Sequence, residues 1–323
     1  MSRFRSLLAT LRIANAPSVV SNVWLGLVLG WVMSPQASYL DWIGWKTVGL
    51  PVVSGLLLYF AGNLANDWYD LEWDKMRRPE RALPSGAFRR SSYLLAACLS
   101  ATLGLLCSFA ENRYCGACAI GILVLIAIYT HFHKRAIWSV VPMGLCRAGL
   151  YVLGFSAFLP SILAGFHDGG FAESFLFFRA AILATMATGM VAYIAGLSLS
   201  ARYEGMENAP PGPRAVSKAL LFLPMLAMPC WFSTQTPFFG LAGILPYAAW
   251  LTLCFTKFKQ PIPRYVSALL AGIPLVDAAA AIPLTSLLAF NGVVNPPLAW
   301  GIVAVPLMAF VLGRTLQKLA PAT

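Results

Sequence analysis

Five of the chain's twelve Asp and Glu residues fall between Asp67 and Glu80, within the stretch Asn63–Gly86, NLANDWYDLEWDKMRRPERALPSG. At about 100° per residue, Asn66, Asp70 and Asp74 drift slowly around a helix, and Asn63 and Asp67 fall in the same arc. These five oxygen-bearing side chains share one face if the helix persists to Asp74, while Glu72 points away. Hard oxygen donors within a few turns suit Mg²⁺, which keeps several waters and bridges to phosphate oxygens. Trp68, Tyr69 and Trp73 interleave with them, as suits rings at a membrane interface or beside an apolar substrate. A plainer reading makes the acids a solvated helix end balanced by Lys75, Arg77, Arg78 and Arg81. A helix C-terminus is the wrong end for acids, and unpaired acids at membrane depth are costly, so the functional reading is preferred.

Leu50 to Gly62 are almost wholly apolar, so the acids begin where a membrane helix runs out. The whole chain is 59% hydrophobic and 11% charged, against about a quarter charged in soluble domains. Taking about twenty apolar residues per crossing, spans fall near 14–34, 47–70, 92–110, 114–131, 136–160, 178–200, 217–233, 237–256, 265–289 and 297–317. The expectation is an all-α polytopic membrane protein, a bundle of nine or ten transmembrane helices, with residues 1–323 forming a single transmembrane domain. Arg3, Arg5 and Arg12 precede the first apolar run, which lacks a convincing small-residue cleavage site and reads as a retained helix.

The net charge of +11 is spread as short clusters between apolar runs, which is an orientation signal and not a nucleic-acid footprint. With the N-terminus in the cytoplasm, the inner segments collect Arg3, Arg5, Arg12, Lys75 through Arg90, Lys134, Arg135, Arg202, Arg214, Lys218, Lys257, Lys259, Arg264, Arg314 and Lys318. Asn63–Gly86 then lies at the cytoplasmic ends of the second and third spans. The lack of a transit peptide favours a bacterial inner membrane. The seven cysteines are scattered in apolar segments, and Cys115-Gly-Ala-Cys118 has no second pair to complete a zinc site. His131 and His133 lack a third ligand and read as interfacial residues. No internal repeat is visible, which disfavours an inverted-repeat transporter.

Asn66-Asp67-x-x-Asp70-x-x-x-Asp74, followed by Arg78-Pro79-x-Arg81-x-Leu83-Pro84-Ser85-Gly86, resembles the first aspartate motif and following loop of the UbiA-type intramembrane prenyltransferases. Ala82 stands where that family commonly has proline. Tyr129, Lys134 and Arg135 resemble its Tyr-Pro…Lys-Arg segment, with Thr130 in place of the proline, although positive-inside anchoring explains the two basic residues equally well. Tyr193 to Gly205 occupy the place of the second aspartate cluster. There Leu197, Ser198, Ser200 and Ala201 stand where acids are expected, leaving Glu204, Ser200 and Tyr203 to assist a metal and Arg202 to meet phosphate directly. Gly196-Leu-Ser-Leu-x-Ala-Arg-x-Glu204, with Cys146-Arg147-Ala148-Gly149 and Leu275-Val276-Asp277-Ala278, resembles the EboC-like subgroup, whose members are encoded with partner proteins in metabolite-handling clusters.

The resemblance implies a UbiA-like bundle with a central cavity and Mg²⁺-dependent transfer of an isoprenoid group from a prenyl diphosphate to a small, unidentified acceptor within the lipid bilayer. It assigns metal binding and catalysis to Asn66, Asp67, Asp70 and Asp74. Asn63, Arg78, Arg81, Lys134, Arg135, Arg147, Tyr193, Arg202 and Glu204 become substrate contacts, and Tyr59, Tyr129 and Tyr193 become candidates to face an allylic cation. The alternative is non-catalytic binding or transport of an isoprenoid or other hydrophobic metabolite by a bundle without the second aspartate motif. Arg147 and Asp277, ionisable residues within spans, read either as a buried structural pair or with Arg147 on the cavity wall near the diphosphate.

Overall fold

In hydrocarbon every backbone N–H and C=O must be satisfied internally, which leaves helices or a closed barrel. The structure, a computed structural model describing residues 3–34, 44–167, 173–203, 211–229 and 237–320, is helical throughout its regular segments. Its elements are α1 (Arg3–Thr10), α2 (Ala16–Val32), α3 (Trp45–Tyr69), α4 (Leu71–Arg77), α5 (Arg90–Glu111), α6 (Arg113–Phe132) and α7 (Val140–Ser156). They continue as α8 (Leu159–His167), α9 (Glu173–Tyr203), α10 (Pro211–Ala227), α11 (Pro237–Thr256), α12 (Ile262–Ala271), α13 (Ile273–Phe290) and α14 (Pro296–Leu319).

Among the described residues nine spans are long and apolar enough to cross a membrane, α12 and α13 counting together as Ile262–Phe290. The difference from ten lies at 217–233. Here α10 has 17 residues, about 26 Å at 1.5 Å each, short of a hydrocarbon core of about 30 Å; residues 230–236 lie outside the described chain.

Helices apolar on every side belong inside a bundle, and α2 and α13 are the two most completely buried. Around α2 pack α3, α7, α13 and α14. The outer helices turn apolar side chains outward, as Leu95, Leu99, Leu103 and Leu106 of α5 do, because lipid solvates leucine as well as a core does. Small residues allow backbones to meet where α2 crosses α7, at Gly26 and Gly154.

Helix α3 ends at Tyr69, and Asp70, with φ −84° and ψ 1°, links it to α4. The break is slight, since the amide of Asp70 still donates to Asn66 O (2.9 Å) and that of Asp74 to Asp70 O (2.8 Å). The oxygen-bearing face therefore runs through the junction instead of along one unbroken helix. Beyond α4, the loop folds on itself through Ser85 N to Arg81 O (2.9 Å) and Ala87 N to Ala82 O (3.1 Å). Gly86, at φ +76°, takes a left-handed conformation that a side chain would oppose. Leu83 seats the loop on a small apolar cluster with Leu64, Leu71, Tyr93 and Ala97, which returns Arg78 and Arg81 toward α3.

Candidate active site

The acid face is buried, as its charge pairing requires. Asn63, Asn66, Asp70 and Asp74 are each under 9% exposed, whereas Glu72 is an outward acid paired with Lys75 at 2.9 Å. Each of the three aspartates is met by basic groups, Arg81 serving two of them. Asp67 accepts from Arg12 at 3.1 Å and lies 3.7 Å from Arg81; Asp74 accepts from Arg81 at 2.9 Å. Asp70 accepts from His133 Nε2 at 2.9 Å, and Lys134 Nζ lies 2.9 Å away as an ion pair without the angle of a hydrogen bond. Lys134 also sits 3.7 Å from the centroid of the Trp73 ring. Burial favours the neutral acid at Asp70, but the hydrogen bond from His133 and the charges of His133 and Lys134 prevail and hold its pKa below the usual carboxylate range.

Arg12 and His133 carry more than sequence reasoning gave them. Arg12 reads as an orientation signal, yet its guanidinium bridges Asn63 Oδ1 (2.8 Å) and Asp67. Its carbonyl accepts from the Tyr59 hydroxyl at 3.0 Å, while Asn63 Nδ2 donates to Leu11 O at 3.1 Å. These contacts hold Arg12 at φ +47°, the one positive φ among described non-glycine residues, a conformation costing about 1–2 kcal/mol. His133, read as merely interfacial, is the direct partner of Asp70. No local pattern marks either residue, since their carboxylate partners are more than fifty positions away.

These groups surround one end of a cavity of about 510 Å³, within the usual range for small-molecule sites. Its charged end is lined by Arg12, Asn63, Asn66, Arg78, Arg81 and His133, and Arg202 and Ser198 of α9 reach it from across the bundle. Burial and the neighbouring Arg81 lower the pKa of Arg78. The three aspartates lie just behind this lining, turned to their cations. Arg147 lines the cavity farther along, near Tyr59.

Some expected contacts are not brought together. Tyr193 is fully buried, and its hydroxyl donates to Leu269 O at 2.6 Å; it packs α9 against α12 and does not line the cavity, so its expected substrate contact is corrected to a packing role. Arg135 is exposed and off the cavity wall, which fits an anchor at the membrane edge. Glu204 lies outside the described residues. Of the three candidate rings, Tyr59 and Tyr129 line the cavity.

Among the described residues no three His, Cys, Asp or Glu side chains converge closely enough to grip a metal outright; the aspartates are engaged by Arg12, Arg81, His133 and Lys134. The donor chemistry nonetheless fits a hard cation. Asn66 Oδ1 and Asp74 Oδ1 are buried with no hydrogen-bond partner among the described residues, and such atoms are uncommon enough to need a purpose. Asp67 and Asp70 stand on the same face.

The bundle, apolar and long enough to cross a membrane, thus encloses a cavity whose charged end presents carboxamides and several guanidinium groups, with the carboxylates just behind them. The chain matches the UbiA prenyltransferase family over residues 23–261 and belongs to it. It is 30% identical over 111 residues to the digeranylgeranylglyceryl phosphate synthase of Methanosarcina mazei, covering 34% of this chain and 38% of that one. To the synthase of the same name from Natronomonas pharaonis it is 27% identical over 213 residues, 65% and 69% of the two chains. The match thus spans well under half of the Methanosarcina mazei relative. The apo structure of a UbiA homolog from Aeropyrum pernix K1 superposes with a TM-score of 0.53 at 15% identity, covering 94% of this chain and 98% of that one, which shows a shared fold.

Proposed function

We propose that this protein transfers an isoprenoid group from a prenyl diphosphate to a small acceptor within the membrane, with Mg²⁺ as cofactor. The observation that carries this reading is the cavity whose charged end joins the Asn63–Asp74 face to Arg12, Arg78 and Arg81, while most of the remaining wall is apolar. Family membership and the prenyl-transferring names of the relatives support it.

Asn66, Asp67, Asp70 and Asp74 would hold Mg²⁺, which when bound supplies a Lewis acid and template that neutralises the leaving diphosphate. Arg78 and Arg81 offer planar donor forks suited to phosphate oxygens, with Asn63, Arg12 and Lys134 beside them. The allylic carbon–oxygen bond breaks with its electron pair passing to the diphosphate. The acceptor then forms the new bond to that carbon and gives up a proton. Leu58, Ile122, Ile126 and Leu150 of the wall hold the hydrocarbon and exclude water from the cation, and Tyr59 and Tyr129 border it. The distribution of Lys and Arg supports a cytoplasmic N-terminus and charged end. The EboC-like reading rests on the Gly196–Glu204 pattern and the Arg147 and Asp277 motifs, and partner proteins encoded alongside belong to that finer reading.

The test is acceptor-independent release of diphosphate by the purified chain from a panel of isoprenoid diphosphates. Release is expected with Mg²⁺, to vanish with EDTA and to return when Mg²⁺ is restored. Binding without turnover across the panel would sink the enzyme reading in favour of a binding or transport protein, which one observation favours: the last two turns of α9 bring Ser198, Ala201 and Arg202 to the cavity, and no carboxylate. If Arg202 substitutes for that missing half-site by meeting phosphate directly, Arg202→Ala should raise the diphosphate concentration for half-saturation about tenfold, the worth of one charged hydrogen bond. An unchanged titration would confine the site to α3, α4 and their loop.

A further inference from the structure

A lysine at a membrane edge ordinarily lays its stem on apolar surface and keeps its ammonium in water. Lys134 does the reverse. Its side chain is 27% exposed, yet Nζ itself is buried and makes no hydrogen bond among the described residues. Its backbone is fixed by the turn after α6, which is closed by Arg135 N to Phe132 O (2.9 Å) and Ala136 N to Phe132 O (3.0 Å). The inward turn of the ammonium is therefore set by what its head meets.

Two groups meet it. Asp70 Oδ2 lies 2.9 Å from Nζ, but that oxygen already accepts from His133 Nε2 and stands outside hydrogen-bond angle from the lysine. The centroid of the Trp73 ring lies 3.7 Å from Nζ. Indole offers a cation the best of the aromatic faces, and the attraction grows where water is excluded. Arg77 also approaches this ring, with its guanidinium carbon 5.6 Å from the centroid, but Arg77 is exposed and water screens it.

Lys134 does not line the cavity, whereas its chain neighbour His133 does. The ammonium thus waits one layer behind the charged end, held by a ring face and a carboxylate with no directed bond to break, on a flexible four-carbon stem. We propose that Trp73 is a positioning residue for prenyl transfer, its ring face holding the Lys134 ammonium on Asp70, from where it serves the incoming diphosphate. This rests on the prenyl-transfer reading and adds to it a residue that acts only through Lys134.

The experiment uses the full chain in lipid nanodiscs and has two arms. In the first, without metal or diphosphate, lysines are acetylated by acetic anhydride and read one by one by mass spectrometry. Native Lys134 should react at least about tenfold more slowly than exposed Lys75. Trp73→Phe should keep that protection and Trp73→Leu should lose it. Tetrafluorotryptophan at position 73 keeps the shape but weakens the negative ring face; it should behave as leucine does, and guards against a misfolded variant. Fast labelling of native Lys134, or protection that survives in both the leucine and the fluorinated chains, overturns the proposal.

The second arm titrates geranyl diphosphate with Mg²⁺. Trp73→Leu should raise the half-saturating concentration about tenfold, equivalent to about 1.4 kcal/mol, with the saturated rate within about threefold of native. Trp73→Phe should restore most of the affinity. Added to Lys134→Met, Trp73→Leu should cost less than a further twofold, since a ring acting through the ammonium has nothing left to hold. Additive losses would show that Trp73 serves by packing, and the proposal fails. If the native chain does not bind geranyl diphosphate, the prenyl-transfer reading falls, while the labelling arm still decides whether Trp73 holds Lys134.

Discussion

Asp70→Asn is expected to lower Mg²⁺-dependent diphosphate release by about 10²–10³-fold, the usual scale for removing one well-placed electrostatic partner from a reacting centre. The change is nearly isosteric, so the effect reads charge. Asp70 is 6% exposed, and its carboxylate meets the His133 ring nitrogen and the Lys134 ammonium, both at 2.9 Å. Neutralising it leaves Lys134 beside Trp73 without its buried counter-charge and removes one of the oxygens proposed for the cation. Breaking a buried ion pair from one side costs about 3–5 kcal/mol, so thermal unfolding must be followed in the same variant. A control at Glu72, which is exposed and off the shared face, should leave release within about twofold. Equal losses from Glu72→Gln and Asp70→Asn would show that general acidity of the α3–α4 junction matters and that the face does not.

Gly154→Ala should be among the most destabilising single-methyl additions in the chain. A Cβ there would lie 2.2 Å from Val23 O and 2.7 Å from Leu27 N, both backbone atoms of α2 that no rotamer change can move aside. Overpacking commonly costs about 1–3 kcal/mol, and a clash with rigid backbone belongs at or above the top of that range. The consequence reaches the cavity, because Arg147, Tyr151 and Gly154 occupy one face of α7 and meet Ser18, Asn22 and Gly26 along α2. Pushing these helices apart should lower the unfolding temperature and disturb the part of the cavity wall that Arg147 lines. Gly121→Ala on α6 is the matched control, since nothing lies within 4 Å of its Cβ position, and it should be neutral or stabilising by up to about 1 kcal/mol. Similar unfolding temperatures for the two variants would refute the close approach of α2 and α7.

The class of fold was legible because lipid imposes a one-dimensional rule. A run of about twenty apolar residues has few fates other than a spanning helix, and helical spacing placed Asn63, Asn66, Asp67, Asp70 and Asp74 on one side and Glu72 on the other. The expected nine or ten spans resolve to nine among the described residues, the tenth segment being α10, where apolar composition continued but the described helix stopped at 17 residues.

What the sequence by itself determined were features governed by near neighbours in the chain: the spans and the shared acid face. Only the tertiary structure decided which charges meet. Arg12 reaches Asp67 across 55 residues and His133 reaches Asp70 across 63, and Asn22 joins Arg147 to Asp277 across 125 and 255. It also placed Tyr193 in the packing of α9 on α12, though the family resemblance made it a candidate ring of the site. Periodicity fixes the direction of a side chain about its own helix axis, whereas a buried charge is settled by whichever partner the packing of other helices brings within about 3 Å.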